Sequence, residues 1–78
     1  MRVLLFAGLA EALGCRELPW PDVPLPANVS QLEAVLRAHE PRLADARFRV
    51  AVNRRYAGAD DVVKPEDEIA LIPPVSGG

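Results

Sequence analysis

Two glycines, Gly77 and Gly78, close this sequence behind Pro73-Pro74-Val75-Ser76, and Ser76 carries the only polar side chain of the six. Fully extended, six residues reach at most about 20 Å. The proline pair stiffens the base of such a tail in polyproline-like geometry, and glycine leaves its tip without side chains. A segment stiff at the base and slender at the tip can enter a narrow active site on another protein. The reactive group would be the α-carboxylate of Gly78, a poor electrophile until it is activated, for example as an acyl-adenylate. A side chain there would obstruct both the nucleotide and the attacking group. Chance alone places Gly-Gly at the end of about one chain in two hundred, taking glycine at ~7% of residues. The signal therefore lies in the glycines together with the charge-free approach to them.

The other residues with chemical options are explained more simply. Cys15 is the single cysteine and has no activating groups patterned around it, so a small helix-end residue is expected rather than a persulfide carrier. His39 has no companion at ligand spacing and falls in a last helical turn, where a cation is mildly favourable. Asp60-Asp61 and Glu66-Asp67-Glu68 suggest solvated turns rather than a cation site. Arg54-Arg55, the one adjacent basic pair, also fits a turn. No glycine-rich phosphate loop, catalytic triad or zinc spacing occurs. The expectation is a chain that binds no metal and is not an enzyme alone.

Composition narrows the class. Nine basic and eleven acidic residues, mixed along the chain, give a net charge of −2, which does not suit a surface that tracks phosphates. No apolar run approaches the ~20 residues needed to span a bilayer, and "VLLFAGLA" lacks the basic flank and cleavage pattern of a signal peptide. One cysteine permits no internal disulfide, in keeping with a reducing, cytoplasmic setting. At 78 residues with 50% hydrophobic content, the chain forms one small domain that buries only about 60–65% of its unfolded surface.

The elements that must position the tail follow from pattern. "RVLLFAG", Arg2 to Gly8, reads as a buried strand. "LAEALG" is a short helix with Leu9 and Leu13 on one face and Gly14 as C-cap. Pro19, Pro21, Pro24 and Pro26 confine any strand to Arg16–Leu18, and Trp20 between them should cover one end of the core. Ser30 and Glu33 match a capping box for the main helix, about Gln31 to His39, which Pro41 ends at Glu40. In "RFRVAV", Phe48, Val50 and Val52 alternate with Arg47, Arg49 and Ala51. "NRR" turns at Asn53, Tyr56-Ala57 returns as a short strand, and Pro65 starts a polar turn before the last strand, "EIALI". One long helix across a small mixed sheet of four to five strands is an α+β roll. With the first and last strands side by side in the middle, it is a β-grasp. We expect this domain over residues 1–72 and a tail over 73–78.

Over essentially the whole chain the sequence resembles the ubiquitin-like sulfur carriers that form the small subunit of molybdopterin synthase. The specific match is P-P-V-[ST]-G-G, met by Pro73 to Gly78; "VLLFAGLAEALG", the Ser30 helix, "VAVNRRY" and "DEIALI" support it. Relatives often carry arginine where this chain has Gly8 and Ala10, so partner ion pairs are not carried over to that helix. Many also have glycine in the turn where Glu66 stands here.

The resemblance implies an adenylating partner, similar to ubiquitin-activating enzymes, that supplies ATP and magnesium; no cofactor stays bound to the carrier. A persulfide donor then converts the Gly78 adenylate into a thiocarboxylate. The tail delivers that sulfur, inside the large catalytic subunit, to cyclic pyranopterin monophosphate, and two deliveries build the molybdopterin dithiolene. Two small and two large subunits are implied. Gly78 would carry sulfur, Gly77 give clearance, Pro73, Pro74, Val75 and Ser76 thread the channel, and Ile72 with nearby apolar side chains seat the partner. A carrier for thiamine thiazole synthesis or tRNA thiolation shares this chemistry, although Pro73-Pro74 favours the molybdopterin reading. Conjugation to protein lysines uses the same activated carboxylate. A β-grasp interaction domain with an accidental Gly-Gly end is the reading from another class.

Overall fold

The structure, a computed structural model, describes residues 1–74. In chain order the elements are β1 (Arg2–Leu5), α1 (Ala7–Leu13), β2 (Glu17–Leu18), α2 (Val29–His39), β3 (Arg49–Val52), β4 (Arg55–Tyr56) and β5 (Glu68–Ile72), with a single 3₁₀ turn at Pro41–Leu43. The strands form one sheet in the order β2-β1-β5-β3-β4. β1 and β5 pair in parallel, Val3 opposite Ile69 and Leu5 opposite Leu71, and the other neighbours are antiparallel. First and last strands thus lie side by side in the interior of the sheet, and the fold is the ubiquitin-like β-grasp.

Strand periodicity decides which side is core. Val3, Leu5, Val50, Ile69 and Leu71 are each at most 3% exposed and join Val29, Leu32 and Leu36 of α2 in one apolar cluster. Leu9 and Leu13 of α1 are buried in it too, as their spacing predicts. Half-buried Trp20 packs on the cluster and donates its indole N–H to the Val23 carbonyl at 3.2 Å, so the proline-rich crossing does cover part of the core.

Boundaries depart from the sequence reading where tertiary contacts supply hydrogen bonds. β1 stops at Leu5 and α1 begins at Ala7, which takes a positive φ of 49°. That conformation costs a non-glycine residue roughly 1 kcal/mol; Phe6 N–H to the Leu71 carbonyl (3.3 Å) and Leu9 N–H to the Phe6 carbonyl (3.1 Å) hold the switch. Gly14 caps α1 in the left-handed region as expected, at φ 71°.

The capping box is not the Ser30–Glu33 pair. α2 starts at Val29 with Asn28 as N-cap: Asn28 Oδ1 accepts from Gln31 N–H, and Gln31 Oε1 accepts from Ala27 N–H, both at 2.9 Å. The loop before β5 supplies the remaining acceptors, with the Asp61 carbonyl taking Val29 N–H and the Ala59 carbonyl taking Ser30 N–H. Glu33 lies instead 3.6 Å from Arg37. Ala38 and His39 are exposed. Phe48 precedes β3 and is half-buried, and Ala51 on the opposite face is as buried as Val50 because β3 has neighbours on both sides.

Two polar anchors were not apparent from pattern. Arg37 Nη1 donates to the carbonyls of Leu43 (2.6 Å), Ala46 (2.9 Å) and Ala44 (3.3 Å), and its guanidinium stacks 4.3 Å from the Phe48 ring centroid. One cation therefore gathers the turn after α2 and aims it into β3. Asp67, expected in a solvated turn, is buried at 7% exposure. Its Oδ2 accepts from Lys64 N–H at 2.7 Å and its Oδ1 from Asn53 Nδ2 at 2.9 Å, while Asn53 Oδ1 accepts from Glu68 N–H at 3.0 Å. Asn53 and Arg54 both have positive φ, 51° and 71°, with Val52 opposite Arg55. This is the two-residue type I′ hairpin, clamped to the start of β5.

Truncating Arg37 to Ala removes three hydrogen bonds to main-chain carbonyls and the stack on Phe48. A loss of about 2 kcal/mol is expected, read as a fall in Tm of roughly 10 °C for a domain of this size. Hydrogen bonds from Asn53 and from Lys64 N–H hold the Asp67 carboxyl below its ordinary range. A depressed folded-state pKa contributes stability above the unfolded value, and that contribution is lost as pH falls through the folded one. Urea midpoints should therefore drop between about pH 5 and pH 2, and Asp67→Asn should flatten that slope while lowering stability at neutral pH.

Candidate functional site

The same alternation that buries one side of the sheet leaves the other side, among the described residues, without a helix. Along β5, Glu68, Ala70 and Ile72 point away from the core, between the buried Ile69 and Leu71. Pair registers set Leu4 and Ala51 on either side of Ala70, with Tyr56 opposite Ala51. One row across the sheet thus reads Leu4, Ala70, Ala51, Tyr56. The two alanines at its centre are short, and larger side chains stand around them, so the row dips in the middle. The result is a groove of about 550 Å³ lined by Leu4, Phe6, Ala51, Arg54, Tyr56, Glu68, Ala70 and Ile72.

Two aromatic side chains of the groove stand out into solvent. Phe6 is 46% exposed and Tyr56 56% exposed. The Arg49 guanidinium lies 4.0 Å from the Tyr56 ring centroid, a cation–π contact that fixes the ring's orientation. At the β1–β2 side, Arg2 Nη2 donates to Glu17 Oε1 at 2.9 Å, which holds the Glu17 carboxyl below its ordinary range. Phe6 also forms one wall of a second hollow of about 670 Å³, lined further by Ala7, Ala10, Glu11, Gly14 and Arg16. Ala10 therefore faces this hollow, while Gly8 is exposed with open space where a Cβ would project.

Of the residues singled out by sequence, Ile72 sits at the end of β5 and on the groove wall, half-buried. Pro73 follows half-buried and Pro74 exposed. Val75, Ser76, Gly77 and Gly78 lie outside the described residues. The last strand thus crosses the middle of the open face and releases the chain at its edge, one residue past a groove wall. Leu4, Phe6, Ala51, Tyr56 and Ala70 were missed as site residues. The signal was present in the strand alternation, since apolar residues recur on the face opposite Val50 and Leu71.

The remaining candidates are not brought together. Half-buried Cys15 and exposed His39 stand on different elements, and among the described residues no three His, Cys, Asp or Glu side chains converge on a common point. Asp61 Oδ2 accepts from Gly58 N–H at 2.8 Å, a turn contact. No helix among the described residues is long and apolar enough to cross a membrane.

Comparison with known proteins agrees along the whole length. Residues 3–78 match the model of the ThiS family. The molybdopterin synthase sulfur carrier subunit of Homo sapiens is 40% identical over 83 residues, spanning 100% of this chain and 93% of that protein. The subunit of the same description from Mycobacterium tuberculosis is 37% identical, spanning 100% and 96%. Among solved structures, SAMP1 from Haloferax volcanii superposes with a TM-score of 0.81 at 33% identity, covering 100% of this chain and 98% of that one. The small archaeal modifier protein 1 of Methanosarcina acetivorans gives 0.77 at 29%, covering 99% and 94%. By a family match over nearly every residue and by relatives of equal length, this chain belongs to the ThiS family.

Proposed function

We propose that this chain is the sulfur carrier subunit of a molybdopterin synthase and that the carboxylate of Gly78 is its working group. The observation that carries the reading is the exit of β5: the strand forming the centre of the open face ends at Ile72, on the wall of the groove. A partner seated on that face receives the residues after Pro74 at a fixed place, and four residues suffice to reach about 14 Å into it. Full-length similarity to sulfur carrier subunits supports the same assignment.

The chemistry then divides between chains. An adenylating partner transfers AMP from ATP to the Gly78 carboxylate, pyrophosphate leaving, which converts a poor electrophile into a mixed anhydride. Sulfur from a persulfide donor takes the place of AMP and leaves a thiocarboxylate. Within the large subunit that sulfur passes to cyclic pyranopterin monophosphate, and two such transfers give the dithiolene. Gly77 leaves room for the nucleotide and for the attacking atom, and Pro73 to Ser76 thread the channel. This chain's own residues seat the partner and present the carboxyl group; proton transfers and the binding of ATP and magnesium fall to the partners.

The groove suits a partner that offers an apolar projection to fill the dip over Ala51 and Ala70, bordered by acidic groups that face Arg49 and Arg54. Tyrosine at the centre of an interface commonly contributes more than 1 kcal/mol. A second reading has one observation in its favour, the close superposition on a small archaeal modifier protein. It uses the same activated carboxylate with an amine in place of sulfur.

Two variants separate delivery from docking. A chain extended by one residue beyond Gly78 should keep its Tm and its affinity for the large subunit, yet lose sulfur transfer by at least about 100-fold, because the carbonyl carbon is displaced. Tyr56→Ala should do the reverse, weakening that affinity by about tenfold or more while adding excess subunit restores transfer. An extended chain that still delivers sulfur would dismiss the carboxylate as the working group.

A further inference from the structure

We propose that Arg54 is a specificity-determining residue of the groove: its charge selects an acidic partner segment, and the hairpin holds it there at the expense of stability. The inference deepens the reading above that the groove seats the large subunit, and rests on it. Charge is unevenly spread along the chain. Residues 46–59 contain Arg47, Arg49, Arg54 and Arg55 and no acid, whereas the rest of the chain holds five basic and eleven acidic residues. A net charge of −2 thus conceals a β3–β4 segment with four positive charges on an otherwise acidic molecule.

Arg54 stands where the turn least favours it. It is the second central residue of the type I′ turn, at φ 71°, a position that prefers glycine. An arginine there crowds its Cβ against the main chain, and strained non-glycine backbone of this kind gathers at binding sites. The hairpin does not need its side chain, because Asn53 ties the turn to Asp67 and Glu68. Ion pairs among the described residues fall to Arg2, Arg37 and Arg42. The Arg54 side chain instead lines the groove beside Tyr56, on whose ring the Arg49 guanidinium stacks at 4.0 Å.

Glu68 is the one acid among the groove residues. In the β1–β5 register it stands opposite Arg2, which lies across β5 from the hairpin. Arg49 and Arg54 are thus left to meet the carboxylates of whatever occupies the groove. A long polyanion would run onto the acidic remainder of the surface, whereas a short acidic protein segment meets the hairpin alone. Opposite charge at the rim of an interface acts chiefly on the association rate, and salt screens it.

Association of the full chain with the large subunit should be followed by stopped flow at about 50 and about 500 mM sodium chloride, beside melting curves, for the native chain, Arg54→Gly and Arg54→Lys. Glycine fits the turn, so Arg54→Gly is expected to melt about 4 °C higher. Its association rate should fall about fivefold at the lower salt and come within about twofold of native at the higher. Arg54→Lys keeps the charge and should keep the native rate and its salt dependence. An arginine with a structural role alone would move the melting curve and leave the rate. Native association of Arg54→Gly at low salt, an equal loss at both salts, a loss in Arg54→Lys as large as in Arg54→Gly, or a lower melting temperature for Arg54→Gly would each overturn the proposal. Tyr56→Ala, measured alongside, separates the two readings. Weak binding by Tyr56→Ala with native binding by Arg54→Gly leaves the groove as the seat and dismisses Arg54; native binding by both removes the groove reading as well.

Discussion

Parallel pairing of β1 with β5 is the constraint on which the rest of the molecule depends. It joins segments from opposite ends of the sequence, Leu5 beside Leu71, and places four of the most buried side chains, Val3, Leu5, Ile69 and Leu71, against α2. A parallel pair requires a crossover, and α2 makes it over one face while β2, β3 and β4 extend the sheet on either side of the central pair. The opposite face is left open as a direct consequence. Because β5 is interior, its outward residues Ala70 and Ile72 form the middle of that open face, and the chain leaves from there. The groove and the end of β5 at Ile72 are thus two aspects of one pairing.

A core this small cannot by itself fix the long connections, and side chains bonded to main chain complete the task. Arg37 collects three carbonyls after α2, Arg42 reaches the Leu13 carbonyl at 3.2 Å while paired with Glu40, and Asn53 with Asp67 ties the β3–β4 hairpin to β5. A planar guanidinium with several fixed donors suits such bridging better than an ammonium. The arginine preference of the composition accordingly has structural work at Arg37, Arg42 and Arg49.

Local signals were readable wherever they act over a few residues. Gly14 ends α1, Pro41 ends α2, Asn53 turns the hairpin, and the apolar runs mark β1 and β5. Ambiguity arose where two local solutions matched equally. Asn28-x-x-Gln31 and Ser30-x-x-Glu33 both fit a capping box, and only the Asp61 and Ala59 carbonyls, brought close by the fold, decide between them. The burial of Asp67 depends on Asn53, fourteen residues away, and no periodicity reports it. Of the site, the Gly-Gly end and Ile72 stood out by type, whereas Ala51 and Ala70 act by being small beside larger neighbours. That property exists only once strands are in register.

Acceptance of sulfur by Gly78 is the proposal from which the rest of the chemistry follows. The most direct measurement is the accurate mass of the carboxyl-terminal peptide after incubation with an adenylating partner, ATP and a persulfide donor. Peptide-level mass is needed because oxidation of Met1 or Cys15 nominally mimics exchange of oxygen for sulfur in the intact chain. Replacement of one carboxylate oxygen of Gly78 by sulfur is the expected result. An unchanged Gly78 carboxylate, with a partner shown to load another carrier, would contradict it.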